Sequence, residues 1–294
     1  MTTPNGVQFG IFPTPNAASF DEDLRLIRLA DDIGLDLVGI QDHPYQRRFL
    51  DVFTLMSWAL ASTENIRVFP DVANLAMRAP AMIAKESASL DVMSRGRFEL
   101  GLGAGSFYDA IAAMGGPRRS PGESFAAFEE AVDLIKLFWT AGRGLEYEGE
   151  HYSLSGVHGG PPPAHDIGIW VGAHGPRMLN LIGRKADGWV PSSSYIPPEK
   201  LGPMHARIDE GAAEAGRDPD EIRRIYNISG TIRPGPAQGF LIGDQQHWVT
   251  ELTELVERYR MDSFILWLDE NAKGQVRALA EIATELRAQL RLGD

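Results

Sequence analysis

The feature that most constrains this chain is a single rhythm. Short β-rich runs alternate with amphipathic helical patterns from one end to the other. Val7–Phe12 reads as the first strand, and Ser19-Phe20-Asp21-Glu22 has the form of a capping box opening a helix through about Ile33. Strand Leu35–Ile40, helix Asp51–Ser62, strand Ile66–Val72 and a helix from about Pro80 to Asp91 follow. Next come strand Arg97–Gly103 and, after a second capping box at Ser120-Pro121-Gly122-Glu123, a long helix to Trp139. The rhythm breaks over 141–165, where Gly, His and Pro leave room for one small hairpin. It resumes with strand Ile167–Val171, helix Pro176–Lys185 and strand Gly188–Pro191. A short helix at Asp218-Pro219-Asp220-Glu221, strand Arg224–Thr231, helix His247–Tyr259, strand Ser263–Leu268 and helix Ala272–Leu290 complete it.

Each parallel connection needs a crossover, so strict alternation implies a parallel sheet. Eight such units in 294 residues favour a closed (β/α)8 TIM barrel over an open doubly wound sheet. No linker or shift in composition divides the chain, so 1–294 reads as one α/β domain. Its excursions near 106–120, 141–165 and 192–198 are expected over the mouth.

Composition narrows the function. With 28 Lys+Arg against 40 Asp+Glu the formal charge is −12, and no basic run relieves it. That argues against nucleic acid and against anionic membrane surfaces as partners. No apolar run approaches the roughly 18 residues that span a bilayer. The start, Met1-Thr2-Thr3-Pro4-Asn5-Gly6, lacks a basic n-region and an apolar h-region, and Cys is absent. Disulfides, thiolate metal sites and Cys nucleophiles are thereby excluded, and a cytoplasmic address is expected. His151, His158 and His165 are evenly spaced, but so much Gly and Pro lies between them that no metal site is expected.

In a barrel the chemistry sits at the C-terminal ends of the strands. After the second strand stands Gln41-Asp42-His43-Pro44-Tyr45. There a carboxylate beside an imidazole can serve proton transfer, and the plainer alternative is a turn capped by Asp42. After the third strand come Asp71-Val72-Ala73-Asn74 and Arg78-Ala79-Pro80, small and polar groups that would let a flat ligand approach. The fourth ends in Gly101-Leu102-Gly103-Ala104-Gly105-Ser106, which is not the G-x-G-x-x-G dinucleotide spacing but still permits close backbone approach. The fifth runs through Gly172-Ala173-His174-Gly175-Pro176-Arg177 into a helix whose free N–H groups make an anion cradle.

Taken together, Val38-Gly39-Ile40-Gln41-Asp42-His43, Arg78-Ala79-Pro80, the stretch Leu90–Gly105 and Gly183-Arg184-Lys185-Ala186-Asp187-Gly188-Trp189 resemble the bacterial luciferase-like family of flavin- and deazaflavin-dependent oxidoreductases. The Ser94-x-Gly96-Arg97-x-x-x-Gly101-x-Gly103-x-Gly105 string is the most characteristic part. The resemblance implies a cofactor ring resting on a non-prolyl cis bulge at Asp71–Val72, with Asn74 at the polar edge of the ring. It implies that Gly103, Ala104 and Gly105 line the cofactor tail, and that Ala173, His174, Gly175, Pro176 and Arg177 hold its phosphate. It also implies a homodimer. Asp42-His43 and Gly175-Pro176-Arg177 look most like the branch using coenzyme F-420, which carries a hydride; FMN, permitting monooxygenation with O2, is the alternative. His43 would then assist proton transfer and Asp42 would orient it. Ser106 and Pro44 replace the Glu and Trp of the family's sugar-phosphate dehydrogenase, so that substrate is not expected. A barrel glycosidase using Asp42 and Asp269 is a rival from another class, and a non-catalytic cofactor-binding or storage protein is a further one.

Overall fold

The computed structural model describes residues 6–268 and 271–292. Eight parallel strands form the barrel: β1 Gln8–Phe12, β2 Leu37–Ile40, β3 Arg67–Pro70, β4 Leu100–Gly103, β5 Ile169–Val171, β6 Gly188–Trp189, β7 Arg223–Ile228 and β8 Ser263–Trp267. They hydrogen-bond in the ring order β3-β2-β1-β8-β7-β6-β5-β4. The ring closes at its lower end, where Val68 pairs with Phe98. It closes again at the mouth, where Ala73–Asn74 pairs with Leu102–Gly103. The third strand is therefore split: Pro70 still pairs with Ile40 of β2, and three residues later, at Ala73, the chain has crossed to β4. The crossing is the Asp71–Val72 bond, which is cis as the family resemblance implied.

Eight helices cover the barrel: α1 Phe20–Asp32, α2 Val52–Ala61, α3 Pro80–Ser94, α4 Pro121–Trp139, α5 Pro176–Lys185, α6 Leu201–Glu214, α7 Gln245–Glu257 and α8 Ala272–Leu292. A short helix, Tyr108–Ala113, stands in the excursion after β4, and the hairpin expected in 141–165 forms from Leu145–Glu148 and Ser153–Val157. Two expectations need correction. Helix α6 has no counterpart in the strand–helix pattern, because Gly202, Pro203 and Gly211 dilute a buried face made of Leu201, His205, Ile208 and Ala212. The first capping box does not form: Ser19 Oγ donates to Asp23 at 2.7 Å, whereas the Ser120–Glu123 box is complete in both directions.

Two apolar layers hold the fold. The larger lies between barrel and helices. The smaller fills the barrel itself with Phe12, Leu37, Phe69, Trp170, Val190, Ile225 and Ile265, Phe69 meeting Trp170 edge-on at 4.9 Å. Large rings fit because their neighbours on alternating positions are small, as expected for layered barrel packing. The lower face is tied by Arg97, whose guanidinium donates to the carbonyls of Leu60, Thr63, Ile66 and Ser94. That part of the characteristic string is structural.

Candidate active site

At the C-terminal ends of the strands lies a cavity of about 320 Å³, walled by the loops after β2, β3, β4 and β5 and by the first turns of α4 and α5. Val72 forms part of its floor. A Cβ added at Gly103 would stand 2.6 Å from Val72 Cγ2, and one at Gly172 3.0 Å from it. At Gly101 the added atom would meet Pro70 O at 1.9 Å. The glycines of β4 and Gly172, just past β5, thus let the split third strand and its Val72 side chain press against the sheet. The result is a slot edged by the small residues Ala73, Gly103, Ala104 and Ala173. At Gly105, φ is +86°, and Asn74 Oδ1 occupies the space a side chain would need. Asn74 is buried; its Oδ1 accepts from Ala76 N at 3.2 Å.

His43 stands on another wall. Its Nδ1 is 2.7 Å from Tyr45 Oη, and its ring meets Phe107 edge-on at 5.3 Å. Burial lowers the imidazole pKa, so the ring is neutral at pH 7. Burial, with Asp42 nearby, pushes the Tyr45 hydroxyl up to about 12, so that group keeps its proton. With Tyr45 donating to Nδ1, Nε2 carries the imidazole proton and is the nitrogen left for a pocket ligand.

Asp42 does not orient His43, and this corrects the expected division of labour. Its buried carboxylate accepts from the Asn74 backbone N–H at 2.9 Å and from Arg78 Nη1 at 2.6 Å. Arg78 also bridges to Asp51, the N-cap of α2, and lies over the Phe53 ring. An elementary electrostatic need explains the arrangement: a guanidinium that is 14% exposed requires carboxylates close by. Asp42 therefore secures the chain just beyond the bulge. Tyr45 is the residue that sets His43.

Asp71 lies beneath the slot and is not part of its lining. Its side chain is directed into the barrel, where Oδ1 accepts from Asn227 Nδ2 at 3.1 Å and buried Oδ2 has no partner among the described residues. Burial pushes this carboxyl up to about 7. Pro176 and Arg177 also leave the cavity; they face an adjoining depression on the outside of α5, which shares only Phe125 with it. Asp42, His43, Val72, Asn74, Gly103, Ala104, Gly105, Ala173, His174 and Gly175 do converge on the cavity. Four wall residues escaped sequence reasoning: Pro121, Ser124, Phe125 and Met178. They belong to helices, and the only signal was that the N-termini of α4 and α5 point at the mouth.

Of the rival constellations, Asp269 lies outside the described residues, and Asp42 is already committed to Arg78. His165 is far from any mouth chemistry: it sits between Asp91 at 2.7 Å and Glu99 at 3.3 Å, which raise its pKa to about 10. No helix among the described residues is long and apolar enough to cross a membrane.

Comparison with known proteins gives these features a setting. The chain is 29% identical over 244 residues to the F-420-dependent glucose-6-phosphate dehydrogenase of Intrasporangium calvum, covering 77% of this chain and 73% of that one. It is 32% identical over 218 residues to the enzyme of that name from Kineococcus radiotolerans, covering 71% and 63%. It is 30% identical over 226 residues to the 5,10-methylenetetrahydromethanopterin reductase of Archaeoglobus fulgidus, covering 77% and 64%. In fold it matches an F-420-dependent secondary alcohol dehydrogenase with a TM-score of 0.85 at 18% identity, over 96% of this chain and 99% of the other. A monooxygenase from Streptomyces bottropensis gives 0.80 at 20% identity, over 96% and 99%. Residues 6–238 match the family described as luciferase-like monooxygenase. With its split third strand, its glycine-bearing fourth strand and this match over most of its length, the chain belongs to the luciferase-like family of barrel enzymes.

Proposed function

We propose that this protein is an oxidoreductase that transfers a hydride between coenzyme F-420 and a small organic substrate at the barrel mouth. The observation that carries the proposal is the cavity at the barrel mouth, whose floor is Val72 packed directly against Gly103 and Gly172. Gly103, Ala104 and Ala173 give one wall of that cavity little side-chain bulk, and His43, its pKa lowered by burial, stands on another wall. Support comes from relatives at about 30% identity whose names specify F-420. Bound there, the cofactor would supply a hydride at a ring carbon without activating oxygen.

The chain's own residues do the rest. Val72, Ala104 and Ala173 hold the ring by van der Waals contact, and Gly103 and Gly105 bring backbone close to it. The amides that open α5 and the Gly175 backbone receive the phosphate. His43 Nε2 holds a proton toward a substrate oxygen, and Tyr45 keeps the other ring nitrogen occupied. Phe107 and Tyr45 wall this side, which suits a compact, partly apolar substrate. Ser106 in place of a carboxylate supports a substrate other than a sugar phosphate.

FMN, with reduced flavin and O2 in a monooxygenase reaction, is the second reading, favoured by the description of the family itself. Fluorescence titration of the purified protein with coenzyme F-420 and with FMN separates the two. Saturable deazaflavin binding with hydride transfer is the expected result, and tight binding of FMN alone overturns the proposal.

We further take the enzyme to be a cytoplasmic homodimer. Helix α2 is apolar around most of its circumference, and Trp58 on α2 and Met93 on α3 are 57% and 70% exposed. An apolar helix face of this kind is stable where another surface covers it. Light scattering should give twice the chain mass, and W58E should reduce it to the monomer.

A further inference from the structure

The outer depression beside the slot has a chemistry of its own. It encloses about 480 Å³ between α4, α5 and α6, and three of its lining side chains are arginines: Arg177, Arg184 and Arg207. One carboxylate, Glu210, lines it as well, so three guanidiniums against one carboxylate leave this lining cationic in a chain with a formal charge of −12. The close packing of α5 on α6 creates it. A Cβ at Gly183 would stand 2.0 Å from Ile208 O, and one at Gly211 would stand 2.1 Å from Asn180 O. Only glycine at both positions lets the helices approach enough to bring Arg207 of α6 beside Asn180 and Arg184 of α5.

The guanidiniums differ in what they already hold. Arg177 lies flat on the Phe125 ring at 4.1 Å and forms no ion pair among the described residues. Among the described residues Arg207 pairs only with Glu210, at 2.7 Å, both side chains being about half exposed. Arg184 donates to Glu129 at 2.9 Å and to Asn180 Oδ1 at 3.0 Å. An exposed i,i+3 pair such as Arg207–Glu210 is weak and gives way readily to a better anion. The depression thus offers one open cation and one easily released, both fork-shaped donors suited to carboxylates. It starts at Phe125 and Pro176, where the slot and the opening turn of α5 end.

We infer that this depression is a subsite for the polycarboxylate tail of the deazaflavin cofactor, reached where the chain of that molecule passes its phosphate. This rests on the function proposed above and deepens it. Coenzyme F-420 continues beyond its phosphate into a chain of γ-linked glutamates, whereas FMN ends at the phosphate. A depression of this charge in this place therefore discriminates between the two at a point remote from the ring. Its contribution is electrostatic and open to solvent, so it weakens as salt rises.

The test is a set of fluorescence titrations of the full chain at low ionic strength. The probes are coenzyme F-420 with its long glutamate tail, the same cofactor trimmed to the phospholactyl form, and FMN. The long-tailed cofactor should bind about five-fold more tightly than the trimmed one, the modest gain expected of exposed ion pairs. R207E should bring that ratio to about one, R207K should restore most of it, and raised salt should erase it. Equal affinity of the two deazaflavins for the unaltered protein, or a ratio that survives R207E, overturns the subsite and leaves the proposed function standing. Binding of neither deazaflavin overturns both. Arg207 is on the surface, and circular dichroism of each variant confirms that a lost ratio reflects charge and not misfolding.

Discussion

The carboxylate of Asp42 meets the guanidinium of Arg78 at 2.6 Å, and its second commitment is the backbone of Asn74. A residue adjacent in sequence to the candidate catalytic imidazole therefore serves the loop after β3. This pair is nearly dry, its side chains being 2% and 14% exposed. Removing the Asp42 charge leaves Arg78 to Asp51 alone, a half-exposed partner, at a cost of about 2 kcal/mol. D42N should lower the urea midpoint accordingly. It should also weaken cofactor binding, because Asn74 and the bulge lose their anchor, while the pH profile of turnover stays in place.

The hydrogen bond between Tyr45 and His43 makes a different demand. Y45F removes the partner of Nδ1 and should lower kcat about tenfold, with little change in stability. H43A should cost roughly 100-fold or more. Steady-state assays of both variants, beside thermal melts, distinguish the outcomes. Since burial lowers the His43 pKa below 6.5, turnover should stay level as pH falls to 6.5 and decline only below it. An acid limb centred above 6.5 would contradict the neutral donor.

The floor of the slot predicts a contrast between two glycines. A methyl group at Gly101 would collide with the Pro70 carbonyl at 1.9 Å, backbone against backbone, so G101A should cost about 3 kcal/mol or prevent folding. At Gly103 the obstacle is the Val72 side chain, which can turn aside. G103A should fold and yet bind cofactor about tenfold or more weakly, because the turned side chain enters the slot. Denaturation curves and a binding titration on the two variants check the contrast.

His165 ties the 141–165 excursion to the barrel through Asp91, which also accepts from the backbone of Ala164 and His165. Its folded pKa of about 10 lies above the ordinary value of 6.5, so the protonated form favours the folded state. That stabilisation is complete below pH 6.5, shrinks as pH rises, and is gone above about 10. The difference in urea midpoint between the unaltered protein and H165Q should follow that course. A gap that widens with rising pH would refute the assignment.

What the sequence determined by itself is what local chemistry encodes. Eight strands stand where alternation puts them, because a buried parallel strand must be a short apolar run and its crossover helix must carry an apolar stripe. The Ser120–Glu123 box, the α5 N-terminus and the hairpin inside 141–165 follow from residues within a few positions of one another. Helix α6 was illegible because its buried face includes a histidine and a glycine, and only contact with α5 makes such a face apolar enough to bury. The site divides along the same line. Strand ends placed Asp42, His43, Val72 and Gly103 at the mouth, but spacing alone carries no information about whom a side chain will touch. That Asp42 answers Arg78, that Tyr45 holds His43, that Asp71 lies under the slot and that Arg207 comes to stand beside Arg184 were decided only by closure of the barrel. Closure brings together residues 32 to 156 positions apart, as Asp42 with Asn74 and Asp71 with Asn227, and burial then favours polar groups that find a partner from another strand or loop.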